Sequence, residues 1–231
     1  MLFYEKTHAF IAAKFHCFLT EEFGERGRKA FVHATHYYAE QRGRRMAQRA
    51  IRDGCELTYE TYQQYGEWVP TPEITGTDEA HIVEIKSTNP EYIVHIHRCP
   101  WHIQFKEMGL LEAGHEYCAH LDNSICRGFN PYINFNVDQT LHKDDFCIHR
   151  ILDVTFEKEP NGAKKQEYLQ SFEYHCAHSY WSYSEITSAI FREKGEAVNA
   201  KVLKAFAETY GQEMADKLTE YKYTNFNVTN C

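Results

Sequence analysis

The chain lacks the short signatures by which many enzymes announce themselves. It has no C-x-x-C pair, no H-E-x-x-H, no phosphate-cradling glycine loop and no G-x-S-x-G. Those gaps exclude the motif-based readings of a dithiol oxidoreductase, a zincin, a P-loop nucleotidase and a nucleophile-elbow hydrolase. A long apolar run is also missing: the first twenty residues are interrupted by Glu5, Lys6, His8, Lys14 and His16, so neither a signal peptide nor a transmembrane span is expected. Positive charge is not in excess. A net charge of −8 disfavours nucleic acid or an anionic membrane as the main partner. No internal repeat or low-complexity segment occurs. Without an export signal, the eight cysteines are expected as thiols, metal ligands or catalytic groups rather than as a disulfide framework. A cytoplasmic enzyme is the default expectation.

What is present suffices for a full core. With 231 residues, 43% of them hydrophobic and 15% aromatic, the chain reads as one α+β domain over 1–231. Its parts are N-terminal helices (1–53), a sheet with central helices (79–157) and C-terminal helices (166–221). The first part is expected as two helices broken near Gly24–Gly27. Its basic run, from Arg26 to Arg52, reads as a solvated face from which one arginine could turn inward to grip a carboxylate. Ala39, Gly43, Ala47 and Ala50 form a small-residue stripe that lets another helix approach closely, and His36 lies on the same stripe. Cys55–Thr77 reads as a short helix followed by an aromatic loop.

Ala80–Lys86 and Tyr92–Arg98 alternate as a hairpin around S-T-N-P, with Tyr92, Val94 and Ile96 on one face and His95, His97 and Cys99 on the other. Trp101–Arg127 is expected as one or two helices broken at Gly109 or Gly114. Tyr132–Thr140 forms a third strand. Phe146–Phe156 forms a fourth, with Phe146, Ile148, Leu152, Val154 and Phe156 on the apolar face and Cys147, His149 and Asp153 opposite. The fold class expected is therefore a four-stranded antiparallel sheet with helices on one face. E-P-N-G-A-K-K is a turn. Gln166–Tyr221 is helical with a break near Gly195, and N-F-N-V-T-N-C ends the chain as a strand or a frayed end.

Chemistry concentrates between Cys99 and Cys147. Cys118 and Asp122, four residues apart, share one side of a helix, with His115 a turn earlier. Two uses fit. Cys118 could be a nucleophile activated by His97, His115 or His36, with Asp122 orienting the histidine or activating water. Alternatively Cys99, Cys118 and Cys147 could bind zinc or an iron–sulfur cluster, leaving one position open. The second use meets a geometric objection, because the strand pattern sends Cys147 to the face away from the helix that carries Cys118. His175 and His178, three apart, could also serve a metal, though core histidines are the plainer reading.

C-P at a strand end, then E-Y-C-x-x-x-D, N-P and T-L-x-x-x-D-x-C, over Arg98–Arg150, resembles the L-2-amino-thiazoline-4-carboxylic acid hydrolase family, with a looser likeness in the basic helix at Phe31–Arg52. Asp144 stands where the family pattern suggests glycine. The resemblance marks Cys99, Cys118, Asp122, Asn130 and Cys147. It implies a fold similar to the ligand-binding domains of 4-vinyl reductases and hydrolysis of a small ring containing sulfur and nitrogen. Water or Cys118 would attack the carbon between the two heteroatoms, and Arg44 or Arg45 would hold the substrate carboxylate. A thiohydantoin-like acid attacked at that carbon would lose hydrogen sulfide, a desulfhydrase reaction. The alternatives are a non-catalytic sensor for a small molecule, haem or metal, and a structural subunit of an oligomer, with a homo-oligomer left open.

Overall fold

The computed structural model describes residues 2–156 and 162–229. Two long helices open the chain, α1 (Glu5–Phe23) and α2 (Glu25–Arg52), and they break at Gly24 within the expected window. A short helix α3 (Tyr59–Gln64) follows, with the Thr58 side chain accepting from the Thr61 N–H as its N-cap. The hairpin is β1 (Ile82–Ser87) and β2 (Tyr92–Arg98). Then come α4 (Pro100–Glu107), α5 (Leu111–Phe129), β3 (Phe135–Gln139), β4 (Cys147–Ile151), and α6 to α8 (Phe172–Phe191, Glu193–Tyr210, Gln212–Glu220). The four strands form one antiparallel sheet in the order β1-β2-β4-β3. None of the described helices is long and apolar enough to cross a membrane.

Helix α5 lies between the sheet and α2, and glycines set its distance from α2. A Cβ on Gly43 would fall 2.0 Å from the Ile125 carbonyl oxygen, and one on Gly128 would fall 2.4 Å from that of Glu40. The small-residue stripe of α2 is thus its contact with α5. Behind it, Phe15, Phe31, Tyr38 and Tyr183 are fully buried among α1, α2 and α6. A smaller cluster of Tyr59, Tyr92, Cys126, Phe135 and Ile151 joins α5 to the sheet.

The third and fourth strands and the C-terminal helices differ from the sequence reading, and the third strand begins at Phe135 rather than Tyr132. The fourth strand stops at Ile151, because Asp153 takes a left-handed conformation (φ 56°) that ends the ladder. Its phase is also reversed. Tyr92, Val94 and Ile96 pair with Ile151, His149 and Cys147, so Cys147 and His149 face the helices while Ile148 and Arg150 face outward. Hydrophobicity misleads there because the inner face is a polar site and the outer face carries an isoleucine. In the C-terminal part, the break falls at Arg192 (φ 54°) and again at Gly211, while Gly195 lies inside α7, packed on Thr187. The turn expected at Glu159–Lys165 lies partly outside the described residues. The tail forms turns up to Thr229 and anchors through buried Phe226.

Candidate active site

The phase of β4 removes the objection to a common thiol site. Cys147 enters from the sheet, Cys118 from α5, and Cys99 from the β2–α4 junction, where it is the residue just ahead of Pro100. Each thiol feels the charge of Asp122. The Cys147 sulfur accepts the Leu141 N–H at 3.2 Å, and Cys99 accepts the N–H groups of His102 and Trp101. Burial nevertheless keeps these thiols protonated: it raises Cys99 to about 12 and Cys147 to about 11. Cys118 is pushed well up by burial and then by its two cysteine neighbours. Among the described residues, the set of three donors whose ligand atoms all lie within 4.8 Å of one another is not at these thiols but on the outer sheet face.

The Cys118 sulfur lies 3.3 Å from the His142 Nε2. Burial, then His102 and His115, lower His142 to about 3, so its imidazole is neutral and can accept a hydrogen bond from the protonated thiol. The ring is admitted by Gly114, where a Cβ would come within 2.2 Å of the His142 Cε1.

Asp122, one turn beyond Cys118, reaches open space. It lines a cavity of about 500 Å³ together with Arg42, Tyr62, Trp68 and Lys164. Its carboxylate stands 3.8 Å from the His149 Nε2, and burial keeps that imidazole neutral against the carboxylate's pull. Arg42 is buried, and among the described residues its Nε has no hydrogen-bond partner and its nearest anion, Glu67, is 3.9 Å away. Lys164 donates to the Gln63 carbonyl at 2.7 Å, and burial followed by Arg42 lowers it to about 8. A carboxylate and two cations therefore face one aromatic-walled space of the size that holds small molecules.

The other expected residues lie elsewhere. His97 is on the outer sheet face, 3.1 Å from Glu84, separated from Cys118 by the sheet because β2 alternates. His36 bonds His120 across α2 and α5 at 3.2 Å, and burial with that neighbour lowers it to about 4. His115 bonds the Thr140 hydroxyl and lines a separate cleft of about 330 Å³, whose charges are largely paired, Arg28 with Glu116 and Lys143 with Glu112. Arg44 is exposed on Glu40. Arg45 is fully buried and spent on Glu67 at 2.6 Å. Burial alone would raise Glu67, but Arg45 overrides it and holds the carboxyl at about 2. Asn130 ties the end of α5 to the Leu57 carbonyl at 2.7 Å. His175 and His178 are core groups bonded to the Glu67 carbonyl and Gln41.

Residues 4–150 match the family model of L-2-amino-thiazoline-4-carboxylic acid hydrolase. The chain belongs to that family. No curated protein and no solved structure matches it. The matched segment contains Cys99, Cys118, Asp122, His142, Cys147 and Arg42, but not Lys164, which the chain adds from beyond the match.

Four groups at or beside the cavity escaped the sequence reading. Arg42 had a signal: it lies three residues after Ala39 and four before Met46, both buried, so it shares the inward side of α2 while Arg44 does not. His149 was hidden by the phase of β4. His142 and Lys164 sit in irregular segments, where no periodicity points to a partner.

Proposed function

We propose that the protein hydrolyses a small heterocyclic carboxylate of the 2-aminothiazoline type, bound in the cavity that Asp122 shares with Arg42 and Lys164. The supporting observation is that opposition of charges: two cations suited to a carboxylate, facing a carboxylate suited to general-base work. Protonating the ring nitrogen of a 2-aminothiazoline makes the carbon between nitrogen and sulfur electrophilic. Asp122 takes one proton of a water molecule as its oxygen bonds to that carbon. The tetrahedral adduct then collapses, the ring C–N or C–S bond breaks with its electron pair on the departing atom, and Asp122 returns the proton to that atom. His149 orients the carboxylate. In a thiohydantoin-like acid the water attacks the thiocarbonyl carbon, and the exocyclic C–S bond breaks instead with the ring intact. Hydrogen sulfide leaves with one proton returned by Asp122 and the other given up by the hydroxyl as the C=O forms.

A second reading rests on the Cys118–His142 bond. There His142 takes the thiol proton only as the Cys118 sulfur bonds to the same carbon. The adduct expels the ring nitrogen or sulfur, which receives that proton. Water then attacks the carbon, so that the C–S bond to Cys118 breaks and the thiol is re-protonated by way of His142. Turnover of a 2-aminothiazoline-4-carboxylate by Asp122→Asn and Cys118→Ser separates the two. The base reading requires D122N to lose at least about 100-fold in kcat while C118S keeps most of it. The reverse pattern, with a covalent adduct trapped on Cys118, establishes the nucleophile. If the unaltered protein binds such acids but turns none over, a ligand-sensing role replaces both.

A further inference from the structure

The outer face of the sheet carries a cluster that this reaction does not use. Glu84 of β1 sits opposite His95 of β2, and His97 follows two residues later, so strand alternation brings all three to one exposed face. One oxygen of Glu84 and one nitrogen from each imidazole lie within 4.8 Å of one another. The His97 Nε2 is 3.1 Å from the Glu84 Oε2. His95 is held by stacking on Phe146, with ring centroids 4.4 Å apart and planes at 22°. The second Glu84 oxygen accepts from the Lys86 Nζ at 2.9 Å.

We propose that Glu84, His95 and His97 form a binding site for a divalent transition metal, zinc by its donor set, separate from the hydrolytic cavity. Two imidazoles and a carboxylate suit zinc rather than magnesium or calcium, which take oxygen donors. Zinc bonds of about 2.0–2.1 Å put neighbouring donors roughly 3.3–3.5 Å apart in a tetrahedron. The His97–Glu84 contact is already that close, and the remaining closure needs only side-chain rotation at an exposed face. Three protein donors leave a fourth position for water. A strand pair is a rigid platform for such ligands, because cross-strand register fixes the spacing of their Cβ atoms. Lys86 competes with the metal for Glu84 and so sets the affinity.

The proposal stands whether or not the hydrolase reading does, and metal titration tests it directly. Zn²⁺ is added to the full chain in competition with a chromophoric chelator, and Co²⁺ is added to follow the visible d–d bands. The expected result is one ion bound, with cobalt bands and no thiolate charge-transfer band. H95A and H97A should each weaken binding by more than about 10-fold. E84Q should do the same. K86A should tighten binding by freeing Glu84, and C99S, C118S and C147S should leave it unchanged. Absence of metal binding at micromolar concentration overturns the proposal, as does affinity undiminished in H95A and H97A, or a thiolate band that disappears with the cysteines. The altered side chains lie on the outer face, and circular dichroism of each variant separates lost binding from lost fold.

Discussion

Replacing Arg42 with methionine isolates the carboxylate grip. Arg42 is 8% exposed, and among the described residues its Nε is unpartnered and its nearest anion lies at 3.9 Å, so little of its charge is committed to them. Methionine keeps much of the aliphatic stem in a cavity also lined by Met46 and Trp68 and removes the guanidinium. A hydrogen bond to a charged group contributes about 1.5–3 kcal/mol, which corresponds to a loss of roughly 10- to 150-fold in kcat/KM. The control is the substrate itself. A 2-aminothiazoline-4-carboxylate should suffer that loss, mostly in KM, whereas its 4-carboxamide should lose less than about 3-fold, having no charge to pair. Arg44→Met, on the exposed side of the same helix, should change neither. The variant should also raise the pKa of Lys164, since Arg42 is the charge that helps to depress it. Equal losses for acid and amide, or unchanged kinetics for the acid, would refute the assignment of Arg42 to the substrate carboxylate.

Lys164 makes the same grip sensitive to pH. Its charged form exists below a pKa of about 8, so kcat/KM for the acid should fall as pH rises through that value, and Lys164→Met should flatten this limb of the profile. Gly114→Ala drives a methyl group into the His142 ring; it should cost about 1–3 kcal/mol of overpacking, offset by roughly 1 kcal/mol of helix propensity. Urea unfolding measures the net, and a clear gain in stability would show that the ring is free to move aside. Glu67→Gln leaves the buried Arg45 without its counter-ion and should destabilise the protein by about 3–5 kcal/mol in the same assay. Burial, then Arg42, holds the core imidazole of His175 at about 3, below its ordinary 6.5. The unfolded chain therefore binds the extra proton first, so stability is full above about pH 6.5 and declines as pH falls toward 3, read as the urea midpoint against pH.

Local pattern was enough for the helices of the first half, the hairpin, the third strand and the antiparallel class of the sheet, because each depends on residues close in the chain. The break at Gly24 and the stripe through Ala39 and Gly43 were legible for the same reason, since periodicity and the absence of a side chain act within a few residues. The motif around Cys118 and Asp122 was equally visible, and the family match covers it. What only tertiary structure decided is which way those groups face and what stands opposite. Whether Cys147 or Ile148 points inward depends on which face of β4 the helices cover, and a strand of five residues with polar groups on its buried side carries no clear phase. Arg42, Asp122 and Lys164 meet across intervals of 80 and 42 residues, counted from their positions, and nothing local records such a meeting. Periodicity specifies the element; the charges gathered at the cavity are fixed by packing between elements.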